Sequence, residues 1–144
     1  MKIAYITIHN PFDYRSWSGL NYNIFKCLKY SGNNIHCIGP LNRWLKLIYI
    51  PKRYMFNLFK IKFDVDRQIL LSKEYSAQVQ KKIHNKKYDL ILTSDTTTVS
   101  YLKTKTPIVL WLDTSFQSWY NHYFTNLKIS KKTLKEGNIC EQNA

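Results

Sequence analysis

The chain has 144 residues, which is room for one domain. Hydrophobic residues make up 44% and aromatics 15%, enough for one apolar core, which excludes a disordered chain. The formal net charge is +13, a balance that favours nucleic acid, an acidic membrane surface or phosphorylated small molecules as partners.

Lys outnumbers Arg by 18 to 4, and Asn and Ile are frequent, a bias that arises without any anionic partner. A dedicated nucleic-acid binder uses more Arg for phosphate and base contacts. The three cysteines, Cys27, Cys37 and Cys140, are too widely spaced for a metal signature and read as free thiols in a reducing compartment. The N-terminus lacks the pattern of a secretory signal, and no stretch approaches the ~20 apolar residues of a membrane span. The expected location is the cytoplasm, including the inner membrane face.

In chain order, residues 2–8 form a short apolar strand, followed by a polar and aromatic loop over 9–18. Ser18 is placed to cap the next helix. In that helix Leu20, Ile24, Cys27, Leu28 and Ser31 share one face, with Asn21, Asn23, Lys26 and Lys29 elsewhere. Gly32 sits where a left-handed C-terminal cap belongs. A second strand over 34–38 closes on Gly39-Pro40, completing a βαβ unit.

Residues 43–62 hold six basic and no acidic side chains, and Pro51 divides them into one or two short helices. Lys46, Lys52, Arg53, Lys60 and Lys62 interleave with Trp44, Tyr49, Tyr54, Phe56 and Phe59. Such a stretch suits an anionic lipid surface. It equally suits a cap helix whose aromatics pack on the sheet while the lysines stay wet.

After a polar break at 64–68, Leu71, Tyr75, Val79 and Ile83 at four-residue steps predict a helix over 69–84. Residues 88–93 and 107–112 read as buried parallel strands, and 96–102 as a short helix between them. Residues 117–123 read as a helical turn. A last helix follows, with Thr133 and Glu136 at capping-box spacing and Ser130 as a competing cap. The alternation implies a single α/β domain with a doubly wound, mainly parallel sheet flanked by helices, incomplete at its C-terminal end. Ligands of such sheets bind beyond the carboxyl ends of the strands, which singles out 9–19, 94–98 and 113–119.

Three stretches carry a resemblance. KIAYITIHNPFDYRSWSGLNYNIFKCLKYSGNNIHCIGPL resembles the opening of retaining glycosyltransferases of family four. YDLILTSDTTTVSYLKTKTPIVLWLDTSF is similar to the central part of their first domain, and ISKKTLKEGNICEQNA to the helix before its next strand. Residues 43–87 match only in helical character and charge.

The resemblance implies the N-terminal, acceptor-side Rossmann-like domain of a two-domain enzyme, with the C-terminal donor domain absent. It implies transfer of a sugar from a nucleotide-sugar to a glycan or lipid-linked acceptor, no metal, and no activity from this part alone. A second domain or polypeptide would then be its partner.

On this basis Ser18 and Gly19 would face the donor diphosphate, with Arg15 just upstream as an anion partner. Asp113, at the carboxyl edge of the fourth strand, would act on the reacting sugar or orient the acceptor; it equally suits a cap for the next turn. His9 and Asp95 belong to the same rim in an acceptor role, or as plain polar lip residues. His36, His84 and His122 have no partners at metal spacing. The competing function is a stand-alone basic α/β module that binds nucleic acid or an acidic glycan.

Overall fold

The computed structural model of the chain describes residues 1–123 and 128–144. Its elements are β1 (Lys2–Ile6), α1 (Leu20–Tyr30), β2 (Asn34–Ile38), α2 (Ile50–Leu58), β3 (Ile61–Lys62), α3 (Ile69–Ile83), β4 (Leu90–Thr93), β5 (Ile108–Leu110), α4 (Phe116–Tyr123), β6 (Lys128–Ile129) and α5 (Lys131–Gln142). Short 3-10 turns cover Ser16–Gly19, Trp44–Tyr49 and Thr96–Thr98.

Four strands form a parallel sheet in the order β2-β1-β4-β5, and β3 pairs in parallel with β6 in a separate ribbon. Helices cover both faces. Ala4, Ile6 and Ile91 meet Leu71, Tyr75, Val79 and Ile83 of α3, all buried. On the opposite face Ile3, Tyr5 and Leu92 meet Ile24 of α1. Successive strand residues point to opposite faces, so an unbroken apolar run such as that of β1 needs cover on both. Each fully buried side chain of this size contributes roughly 1.5–3 kcal/mol.

Several local expectations change. The basic stretch does hold two short helices, a 3-10 turn over Trp44–Tyr49 and then α2, but Pro51 lies in the first turn of α2, where its missing N–H costs no bond. The helix expected over 96–102 shrinks to a 3-10 turn. Ser72 and Ser76 of α3 donate to the carbonyls of Thr97 and Thr98 at 2.7 and 3.2 Å, and the Tyr101 amide donates to the Ser76 hydroxyl at 3.2 Å. These bonds replace a continued helical ladder. β5 is shorter than expected and lies at the sheet edge, which leaves Val109 exposed rather than buried.

Helix α1 is rotated from the expected face. Asn21 and Ile24 are buried with Phe25 and Leu28 against the sheet, while Leu20 and Cys27 are exposed. The rotation follows from the Asn21 amide oxygen, which accepts from the Tyr5 and Ser94 hydroxyls at 3.0 and 2.9 Å. Gly32 does adopt the left-handed conformation after α1, at φ 74°.

Ser130, not Thr133, caps α5: its hydroxyl accepts from the Thr133 amide at 3.1 Å. Glu136 instead reaches across to the Ile69 amide at 2.9 Å and caps α3. Glu141 accepts from the Phe116 amide with both oxygens, at 2.9 and 2.7 Å, and caps α4. One helix thus supplies anionic caps to the positive ends of two others. Gly137 of α5 lies flat on Phe116, and a Cβ there would sit 2.3 Å from the ring. Among the described residues no helix is long and apolar enough to cross a membrane.

Candidate functional site

The carboxyl ends of the strands share one edge, because Ile6 is in register with Ile38 and Thr93, and Thr93 with Leu110. The strand order reverses beside β1, since the chain moves from β1 outward to β2 and later returns to β4 on the other side. At that point the loops separate and leave a cleft of about 310 Å3. His9 follows β1, Asp95 follows β4 and Asp113 follows β5, and all three line it. The segment 64–67 forms a further wall, and Trp17 and Trp119 contribute indole faces.

Asp95 is the most perturbed group in the cleft. Burial pushes its carboxyl up to about 6 from the usual 3.8; the Arg67 charge and the Ile8 amide oppose the rise, and the Asp66 charge adds to it. Its Oδ2 atom is sealed from solvent and has no hydrogen-bond partner among the described residues. The backbone around it is rigid: the Asp95 amide donates to the Thr93 hydroxyl at 3.1 Å, and the Thr98 hydroxyl donates to the Asp95 carbonyl at 2.7 Å. A carboxyl held near neutrality in a cleft can hold or release a proton at physiological pH.

Arg67 lies over the Phe116 ring at 4.7 Å and donates to the Thr96 hydroxyl at 3.2 Å. Asp64 is raised above the usual carboxylate range by burial and then by the Asp66 charge. Asp66 pairs with Lys46. His9 is lowered from its usual value by burial and by the Arg43 and Lys46 charges, against the opposing Asp66 charge, and the net shift favours the neutral ring. Asp113 is exposed at the lip. The following turn is capped by Ser115, whose hydroxyl accepts from the Ser118 amide at 3.2 Å, so Asp113 is not that cap.

Ser18 and Gly19 lie between Trp17, which lines the cleft, and Asn21, whose amide oxygen accepts from the Ser94 hydroxyl in the cleft wall. Ser18 makes no side-chain cap bond to α1, contrary to expectation; the capping position is Gly19. Trp17, Ser18 and Gly19 are all left-handed, at φ 51, 54 and 75°. A Cβ at Gly19 would lie 3.0 Å from the Tyr14 carbonyl oxygen, so glycine meets both a backbone and a space requirement. Left-handed Trp17 and Ser18 cost of order 1 kcal/mol or more each. Trp17 reaches the cleft; Ser18 and Gly19 do not line it. Arg15 folds onto its neighbour, with Nε 3.1 Å from the Tyr14 hydroxyl, and stays outside the cleft.

Trp17 and Trp119 fall within the windows 9–19 and 113–119 expected at the strand ends, whereas Asp64, Asp66, Arg67 and Glu141 lie outside every expected window. A usable signal existed for three of them: two of the nine acidic residues fall within DVDR, directly before the most regular helix. His36 contacts Tyr88, while His84 and His122 are exposed, so none of the three belongs to the cleft. Among the described residues no group of three His, Cys, Asp or Glu side chains is placed to hold a metal ion. In comparisons with known proteins, no family model, no curated protein and no solved structure matches the chain.

Proposed function

We propose that the chain is the acceptor-side, Rossmann-like domain of a glycosyltransferase that moves a sugar from a nucleotide-sugar to a glycan or lipid-linked acceptor. One observation carries the reading. Asp95, a carboxyl poised near neutrality, shares a cleft with Asp113, His9 and two indoles at the carboxyl ends of parallel strands. Carboxylates accept hydroxyl hydrogen bonds strongly, and indoles offer flat apolar area for the C–H faces of a sugar ring. The strand order, with its reversal beside β1, supports the doubly wound class, whose ligands sit at this edge. The resemblance of three sequence stretches points the same way.

In this reading Asp95 takes the proton from the attacking acceptor hydroxyl. Asp113 and His9 orient that acceptor at the lip. The left-handed turn through Ser18 and Gly19 turns the amino end of α1 toward the leaving diphosphate, whose charge free amides stabilise. The remaining donor contacts come from a second domain or polypeptide, so the chain alone holds acceptor and does not turn over.

The test is a titration of 15N-labelled chain, following its indole N–H signals. A panel of oligosaccharides is expected to shift Trp17 and Trp119 in a dose-dependent way, and Asp95→Asn is expected to weaken the response. Isothermal titration with UDP- and GDP-sugars is expected to give no submillimolar binding. Tight binding of a nucleotide-sugar with no saccharide response would overturn the assignment.

A further inference from the structure

Helix α2 and the turn before it are inside out. Over residues 44–59, eight large apolar side chains are exposed: Trp44, Leu47, Ile48, Ile50, Tyr54, Met55, Leu58 and Phe59. No residue of α2 is buried. Ile50, Tyr54 and Leu58 recur at four-residue steps and form an outward stripe beside Met55. Trp44, Tyr54, Leu58 and Phe59 keep 71, 68, 67 and 69% of their surface accessible. The segment is held by few contacts, chiefly buried Tyr49 and the stack of Phe56 on Phe63 at 5.1 Å.

The charges of the same stretch are all of one sign. Residues 43–62 carry six cations and no acid, and Arg43, Arg53 and Lys60 are exposed among the apolar groups. Beside the helix, a groove of about 550 Å3 is lined by Arg43, Lys46, Arg53 and Lys62, with Asp64 and Asp66 on its far wall. An outward apolar face with Trp and Tyr, edged by Lys and Arg, is the composition of a helix that lies in a lipid interface. Two copies of the chain meeting through this face would bring two sets of cations together, which opposes self-association.

The geometry points to residues 43–60 as a docking surface for an anionic lipid bilayer. The stripe of Ile50, Tyr54, Met55 and Leu58 enters the boundary between headgroups and acyl chains. Arg43, Arg53 and Lys60, all exposed, meet the lipid phosphates. The assignment stands on the exposed surface and is independent of the chemistry of the cleft.

Co-sedimentation of the full chain with vesicles tests it. Binding is expected to phosphatidylcholine vesicles containing phosphatidylglycerol and not to phosphatidylcholine alone, and it is expected to weaken with salt. The double variant Tyr54→Ser, Leu58→Ser is expected to lower partitioning by at least about tenfold. Arg53→Gln with Lys60→Gln is expected to lower it by on the order of fivefold per charge and to flatten the salt dependence.

Both variants are expected to keep the wild-type unfolding midpoint, because the altered side chains are exposed. Absence of binding to either vesicle, or a Tyr54→Ser, Leu58→Ser variant that binds as wild type does, would overturn the proposal. A concentration-dependent dimer in sedimentation velocity that this variant abolishes, with no vesicle binding, would assign the face to a second copy instead.

Discussion

Helices α3 and α2 both carry apolar side chains at four-residue steps, and they face opposite ways. Leu71, Tyr75, Val79 and Ile83 of α3 point into the larger core and are buried. Ile50, Tyr54 and Leu58 of α2 point outward. The period of a pattern identifies a stripe; its direction depends on which surfaces remain uncovered. The sheet face beneath α3 is filled by α3 itself, and α2 is left to attach at its rear through Phe56 and Phe63.

The largest expected effect sits on the inward stripe. Leu71→Ala should destabilise the chain by about 2–5 kcal/mol in urea unfolding, because the side chain is fully buried. A loss under about 1 kcal/mol would mean that α3 does not carry the core, and the contrast with α2 would fail.

Next comes the pH dependence of the cleft against which α3 braces. The folded Asp95 carboxyl titrates near 6, above its unfolded value of 3.8. Between these values the folded state holds the extra proton, so the Asp95 contribution to stability falls as pH rises from about 4 to about 6 and is flat above. His9, lowered from 6.5, contributes with the opposite sign, and it is present in both proteins compared. Asp95→Asn should therefore gain stability over wild type as pH rises through that window, reaching on the order of 2 kcal/mol at pH 7. Unfolding midpoints measured across pH check this, and a constant difference would contradict the raised carboxyl.

Smaller effects sharpen the comparison at the ends of the helices. Gly137→Ala should cost about 1–3 kcal/mol, since its methyl would enter the ring of buried Phe116, and thermal unfolding reads it directly. Glu136→Gln should cost about 1 kcal/mol through the weakened cap of α3. Hydrogen exchange should show faster opening of the Ile69 amide in that variant than in wild type. Smallest of all, Leu58→Ala should change stability by less than about 0.5 kcal/mol while it reduces vesicle binding.

The inward stripe, the parallel strands and Gly32 were legible because local chemistry alone fixes them: a burial period, a continuous apolar run, a left-handed cap. The rotation of α1 was not, because burying Asn21 requires the hydroxyls of Tyr5 and Ser94 from distant strands. The collapse of the helix after β4 likewise depends on Ser72 and Ser76 from another element. In the cleft, His9, Asp95 and Asp113 could be placed because strand ends define the rim. Asp64, Asp66 and Arg67 arrive from the side, positioned by β3, which pairs with β6, two residues wide and far along the chain. A pairing that short has no signature in either segment.

Helix α5 supplies Glu136 to the start of α3 and Glu141 to the start of α4. A ribosome therefore makes both recipients, and the loops and the 64–67 wall of the cleft, before it makes their donor. Until residues 131–142 have emerged, the nascent domain lacks both carboxylate caps and the Glu141 side of the cleft, and this is the interval in which a chaperone or protease would find it.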